Sequence, residues 1–96
     1  MARVEVAQAA LEDLDAMIRT LSLPPDTRAR VRRSLLPLAR FPRIGPELAG
    51  RWSGLRFVLG PWRWMVIVYV FIEDEDRAVV VSIHDARSPS SPTAGR

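Results

Sequence analysis

The chain reads as an α+β domain: an N-terminal strand, then a two-helix hairpin packed on one face of a mainly antiparallel sheet of about four strands. Three observations predict this. Apolar residues recur at helical spacing between residues 8 and 40, and form strand-sized continuous or alternating runs between residues 55 and 84. The whole chain is 96 residues, enough for a single modest core.

Taken in order, Val4 and Val6 alternate with Arg3 and Glu5, which predicts a short first strand. Leu11, Leu14, Ile18 and Leu21 make one helical stripe over residues 8–21, and Glu12, Asp13 and Asp15 suit its first half. Pro24 and Pro25 stop that helix. Asp26 or Thr27 can cap a second helix running to about Arg40, with Val31, Leu35 and Leu38 as its buried stripe and Pro37 as a kink. Residues 41–53, with Pro42, Gly45, Pro46 and Gly50, read as a loop. Strands are expected over residues 55–59, 62–72 and 77–84. The domain is expected to span residues 1–87, with the Ser/Pro-rich residues 88–96 as a flexible tail.

Composition narrows the chemistry. A hydrophobic fraction of 48% is that of a globular protein. The longest apolar run, residues 64–72, is far shorter than a membrane helix. Residues 1–5 show no basic-then-apolar leader and cysteine is absent, so the chain is expected to stay in the cytoplasm. All 14 basic residues are arginine, and the isoelectric point is near 10.9. Lysine chemistry is therefore excluded, whereas planar, permanently charged contacts to phosphate or carboxylate are favoured.

Strand parity places the polar exceptions. With Gly60 and Pro61 as a two-residue turn, Arg56 faces Met65, and Leu55, Phe57, Trp64, Val66, Val68 and Val70 form the helix-covered side. With Glu73, Asp74, Glu75 and Asp76 as a four-residue loop, Ile72 faces Arg77 and Met65 faces His84. Arg56, Met65 and His84 then make one cross-strand row with Arg63 diagonal to it, on the side away from the helices. Ile67, Tyr69 and Phe71 share that open side and are expected to dock a protein partner.

His84, the one histidine, reads either as a general acid or base or as a polar strand end beside Asp85. Arg56 and Arg63 suit a phosphate clamp that stabilises charge building at phosphorus. Trp52 is a candidate base-stacking residue in the loop before the sheet, with Arg51 beside it as a candidate RNA contact. Glu47 reads as a solvated loop carboxylate or a general base. The acidic residues 73–76 lack the glycine and ligand spacing of a calcium loop, and no metal or cofactor is expected. No phosphate loop or nucleophile elbow is present.

The run Phe41-Pro42-Arg43-Ile44-Gly45, then Gly54-Leu55-Arg56, Gly60-Pro61-Trp62-Arg63, Val68-Tyr69 and Ile83-His84-Asp85-Ala86-Arg87 resembles the RelE/ParE superfamily of toxins from type II toxin–antitoxin systems. The resemblance implies a small α+β domain held inactive by a cognate antitoxin. In RelE-like members it further implies a metal-independent, ribosome-dependent mRNA endoribonuclease; in ParE-like members, a non-enzymatic inhibitor of DNA gyrase. A degenerate member would only bind its antitoxin. By this resemblance Arg56, Arg63 and His84 are the catalytic candidates, Arg87 positions RNA, and the partners are an antitoxin in a hetero-oligomer and either ribosome and mRNA or gyrase. The chain departs from the RelE pattern in having Val58 where RelE itself has a second basic residue, and in lacking the C-terminal tyrosine of several nuclease members.

Overall fold

The computed structural model describes residues 1–94. Strand β1 (Arg3–Val6) leads into helices α1 (Gln8–Leu21), α2 (Thr27–Leu35) and α3 (Pro37–Arg40), and strands β2 (Arg56–Leu59), β3 (Met65–Ile72) and β4 (Arg77–Asp85) complete the chain. The sheet order is β1-β4-β3-β2, with β1 parallel to β4 and the other pairs antiparallel. This is the expected α+β arrangement.

Local chemistry accounts for the helix limits. Ser22 ends α1 in the left-handed conformation (φ 52°), and the Leu23 N–H reaches back to the Ile18 carbonyl at 3.1 Å. Pro37 breaks the second helix at Leu36 and restarts it as α3, because its ring removes a donor and clashes with the preceding turn. The expected side-chain cap on α2 is absent: the buried Thr27 hydroxyl donates instead to the Pro24 carbonyl at 2.6 Å. Asp13 on α1 accepts the Ile83 N–H at 3.0 Å, satisfying a β4 donor that β1 is too short to reach.

The sheet departs from the expected geometry in three ways. First, β2 and β3 are joined by residues 60–64 rather than by a two-residue turn, so Arg56 pairs with Tyr69 and not Met65. The register moves by an even number of residues, which leaves side-chain parity intact. Second, the helices lie on the other side from the one expected. Ala10, Leu14, Val31, Leu35 and Leu38 pack on Met65, Ile67 and Tyr69. Val66, Val68 and Phe57 are covered by Leu48, Trp52 and Leu55 from the loop before β2. Every residue of β3 from Met65 to Tyr69 is buried, so alternation could not show which face the helices take.

Third, Val81 is unpaired: Val68 faces Ser82 and Tyr69 faces Val80. This bulge turns the C-terminal half of β4 over. Ile72 still faces Arg77 as expected, but Met65 faces Asp85, and His84 faces Val66 on the side away from the helices. The expected row of Arg56, Met65 and His84 therefore does not exist. Past β4, residues 88–94 form successive turns, with Ser91 buried. The rest of the expected tail, Gly95 and Arg96, lies outside the described residues.

Candidate functional site at the tryptophan end of the sheet

The end of the sheet where β3 begins and β4 finishes gathers every tryptophan and the sole histidine. In the loop of residues 60–64 the Gly60 N–H bonds the Met65 carbonyl at 2.9 Å and the Met65 N–H bonds the Trp62 carbonyl at 3.0 Å. A Cβ on Gly60 would lie 2.6 Å from the sulfur of buried Met65, so any larger residue there would push that side chain aside. Trp62 and Trp64 stack with centroids 5.6 Å apart and planes 7° from parallel. Arg30 of α2 sits 4.7 Å from the Trp62 ring, and Arg87 4.6 Å from that of Trp64. Each such contact contributes about 0.5–1 kcal/mol at an exposed site. The ladder Arg30–Trp62–Trp64–Arg87 thus pins the loop between α2 and the end of β4.

Arg63, between the stacked rings in sequence, is exposed and makes no hydrogen bond or ion pair among the described residues. Arg87 grips Asp85 through two parallel bonds, Nε to Oδ1 at 2.9 Å and Nη2 to Oδ2 at 2.8 Å. Hydrogen bonding from Arg87 holds the Asp85 carboxyl below its ordinary range.

On the other side of the same end, the Trp52 and His84 rings meet edge to face (centroids 5.3 Å, planes 81° apart) and Arg51 lies 5.0 Å from the Trp52 ring. His84 Nε2 and the Ser82 hydroxyl share a 2.8 Å hydrogen bond. Burial under this loop lowers the imidazole pKa; Asp13 opposes the shift and Arg51 adds to it. His84 is thus a neutral imidazole near pH 7.

Five sequence candidates are therefore gathered at one end: Arg51, Trp52, Arg63, His84 and Arg87. Arg56 is not with them. Only 22% of its side chain is exposed, and its guanidinium donates to the carbonyls of Arg43 (3.2 Å) and Gly45 (2.8 Å) and to Glu47 Oε1 (3.1 Å). Residue 47 also bridges β2 at Arg56, so Glu47 serves the sheet edge. Ile67 and Tyr69, expected on an open docking face, are 0% exposed beneath the helices and the loop. Phe71 is partly covered, with Arg43 4.9 Å from its ring.

Arg30 was not singled out by the sequence, and Trp62 and Trp64 were set aside in favour of Trp52 as stacking residues. The Trp-x-Trp spacing beside Gly60 and Pro61 was the available signal, but a two-residue turn assigns Trp64 to the core. The opposite end of β3 is acidic: Glu73, Asp74, Glu75 and Asp76 follow it, and Arg77 and Arg43 are paired to Glu75, Glu5 and Glu73. Charge thus runs from basic to acidic along the sheet. Among the described residues no helix is long and apolar enough to cross a membrane.

No protein-family model and no curated protein matches the sequence. Solved structures do. The chain is similar to the RelBE2 toxin–antitoxin complex of Mycobacterium tuberculosis (21% identity, 88% of this chain and 96% of that one, TM-score 0.65). It is similar to the RelBE complex of Escherichia coli (16%, 92% and 100%, 0.64) and to the chromosomal ParDE system of Pseudomonas aeruginosa (15%, 91% and 98%, 0.67). These likenesses span almost the whole of each chain, and they agree with the strand order and helix placement above. The chain has the fold shared by the RelE and ParE toxins.

Proposed function

We propose that this chain is the toxin of a type II toxin–antitoxin pair and that it arrests growth by engaging mRNA in the ribosome through the tryptophan end. The observation carrying this reading is the gathering of Arg51, Arg63 and Arg87 with Trp52 and His84 at one basic end of the sheet. Arg63 has no internal partner to give up, so a phosphate meets it at low cost. Arg87 exchanges Asp85 for phosphate, and Trp52 offers a ring for a base. Cleavage in this reading uses the RNA's own 2′-hydroxyl as nucleophile: its oxygen bonds to phosphorus, the P–O5′ bond breaks, and the products are a 2′,3′-cyclic phosphate and a 5′-hydroxyl that takes its proton from water. Arg63 stabilises charge at the phosphate, and neutral His84 accepts the proton once the Ser82 hydroxyl turns away.

A second reading, gyrase inhibition without catalysis, is favoured by a specific observation. The guanidinium of Arg56 is spent on the chain's own loop, and His84 is covered by Trp52 and bonded to Ser82. A binding surface survives that arrangement more readily than an acid–base pair does.

Controlled expression of the chain, with and without a neighbouring antitoxin gene, followed by mapping of mRNA ends, tests the proposal. New mRNA ends with growth arrest, both relieved by the antitoxin, are the expected result. Intact mRNA with inhibited supercoiling selects the gyrase reading, and harmless expression of the chain alone rejects both.

A further inference from the structure

The two halves of the segment between α3 and β2 are held very differently. Residues 42–48 are tied into the sheet. Tyr69 bonds the Pro42 carbonyl and the Gly45 N–H, Arg56 bonds the carbonyls of Arg43 and Gly45, and the Phe57 N–H bonds the Pro46 carbonyl at 3.2 Å. The Leu48 N–H then closes on the Leu55 carbonyl at 2.8 Å and makes a neck. Beyond that neck, residues 49–54 make no hydrogen bond or ion pair to the rest of the chain among the described residues. Their bonds are local: the Trp52 N–H to the Ala49 carbonyl (3.2 Å), the Ser53 N–H to that of Gly50 (3.0 Å) and the Leu55 N–H to that of Trp52 (3.1 Å).

One side chain attaches this loop to the sheet. Residues 49–54 are all exposed except Trp52, whose ring packs with Leu48, Val66 and Val68 and meets the His84 ring. On either side of it, Gly50 and Gly54 hold left-handed backbone (φ 64° and 90°), where other residues are strained. A Cβ on either glycine would meet nothing within 4 Å, so backbone conformation and not crowding calls for glycine there. A loop that served only the core would be bonded into it, as residues 42–48 are. A single packed ring between two permissive residues is instead the build of a hinged flap.

We infer that residues 50–54 form a lid over His84, latched by Trp52, which swings about Gly50 and Gly54 to bare the imidazole. Closed, it leaves the His84 ring half-buried with Nε2 on the Ser82 hydroxyl, while Arg63 and Arg87 stay exposed. Open, it carries Arg51 away with the loop and frees the Trp52 ring for an unpaired base. That the visitor holding it open is single-stranded RNA rests on the reading of this end given above; the lid itself does not. A covered imidazole and an acid–base role are then two positions of one loop.

The full chain carries one histidine, so carbethoxylation by diethyl pyrocarbonate, followed by ultraviolet absorbance, reports the access of reagent to that ring alone. Wild-type His84 is expected to react at least about tenfold more slowly than N-acetylhistidine. Gly50→Ala with Gly54→Ala strains the closed form and should raise the rate about fivefold or more at unchanged melting temperature. Trp52→Ala should bring it close to that of the free compound. Hydrogen exchange of the unaltered chain gives a measure that needs no variant. The amides of Trp52, Ser53 and Leu55 should exchange at least about a hundredfold faster than that of Gly45, which is bonded to Tyr69. The inference is overturned if wild-type His84 reacts like the free compound, if the alanine pair reacts at the wild-type rate, or if the loop amides are as protected as that of Gly45. Absence of new mRNA ends from every variant rejects the RNA reading, and the carbethoxylation rates still decide the lid.

Discussion

Arg56 and Arg63 bracket β2 and have opposite fates. Arg56 faces inward beside Tyr69, and its donors close on the loop of residues 43–47. Arg63 stands in solvent on a loop braced by two stacked rings. The clamp around Arg56 organises the molecule's own backbone, whereas the end around Arg63 presents charge to something else. Two arginines that read alike in the sequence thus divide into a structural and a presenting residue. The difference is set by whether carbonyl acceptors lie within reach.

Variants can break this contrast, beginning in the clamp. Gly45→Ala should have the largest effect, because its Cβ would fall 2.2 Å from the Phe57 carbonyl oxygen, a backbone atom that cannot yield. A loss of about 3 kcal/mol is expected, read as a lowered urea midpoint. Tyr69→Phe should cost about 1–3 kcal/mol by leaving the Pro42 carbonyl and the Gly45 N–H without a partner, measured in the same way. Arg63→Ala should change stability by less than about 0.5 kcal/mol. On the proposed reading it abolishes growth arrest and lowers the salt slope of single-stranded RNA binding by about one. A destabilised Arg63→Ala would place that residue in the clamp's class and dissolve the contrast.

The smallest effect should be the pH dependence of His84. Its folded pKa lies below the ordinary value of 6.5, so between those two values the unfolded chain binds more protons than the folded one. Stability is therefore full above about pH 6.5 and falls as pH drops through that value toward the folded pKa. His84→Gln should flatten this slope between neutral pH and about pH 5.5, followed by urea midpoints. Asp85, held low by Arg87, contributes stability present above its ordinary 3.8 and lost only at lower pH, outside that window.

The α+β class, the helix break at Pro37, all four strands to within a few residues and the Ile72–Arg77 pairing were legible in the sequence, because proline geometry and apolar period act locally. The side of the sheet facing the helices was not. Loop residues Leu48, Trp52 and Leu55 bury Val66 and Val68 as thoroughly as α1 and α2 bury Ile67, so β3 carries no polar face to mark solvent. Arg51, Trp52 and His84 could be named as candidates, but their meeting depended on that loop folding back. Arg56 misled for a related reason. Its acceptors are main-chain carbonyls of residues 43 and 45, and no side-chain pattern reports where a carbonyl will point.

Val81 has a consequence for how such a surface changes over time. Because the imidazole owes its position to one supernumerary residue in β4, deleting Val81 would rotate Ser82, Ile83 and His84 half a turn about the strand axis. A codon lost or gained upstream, rather than any replacement at position 84, is then the mutational step that transfers this titrating ring between the two layers of the protein.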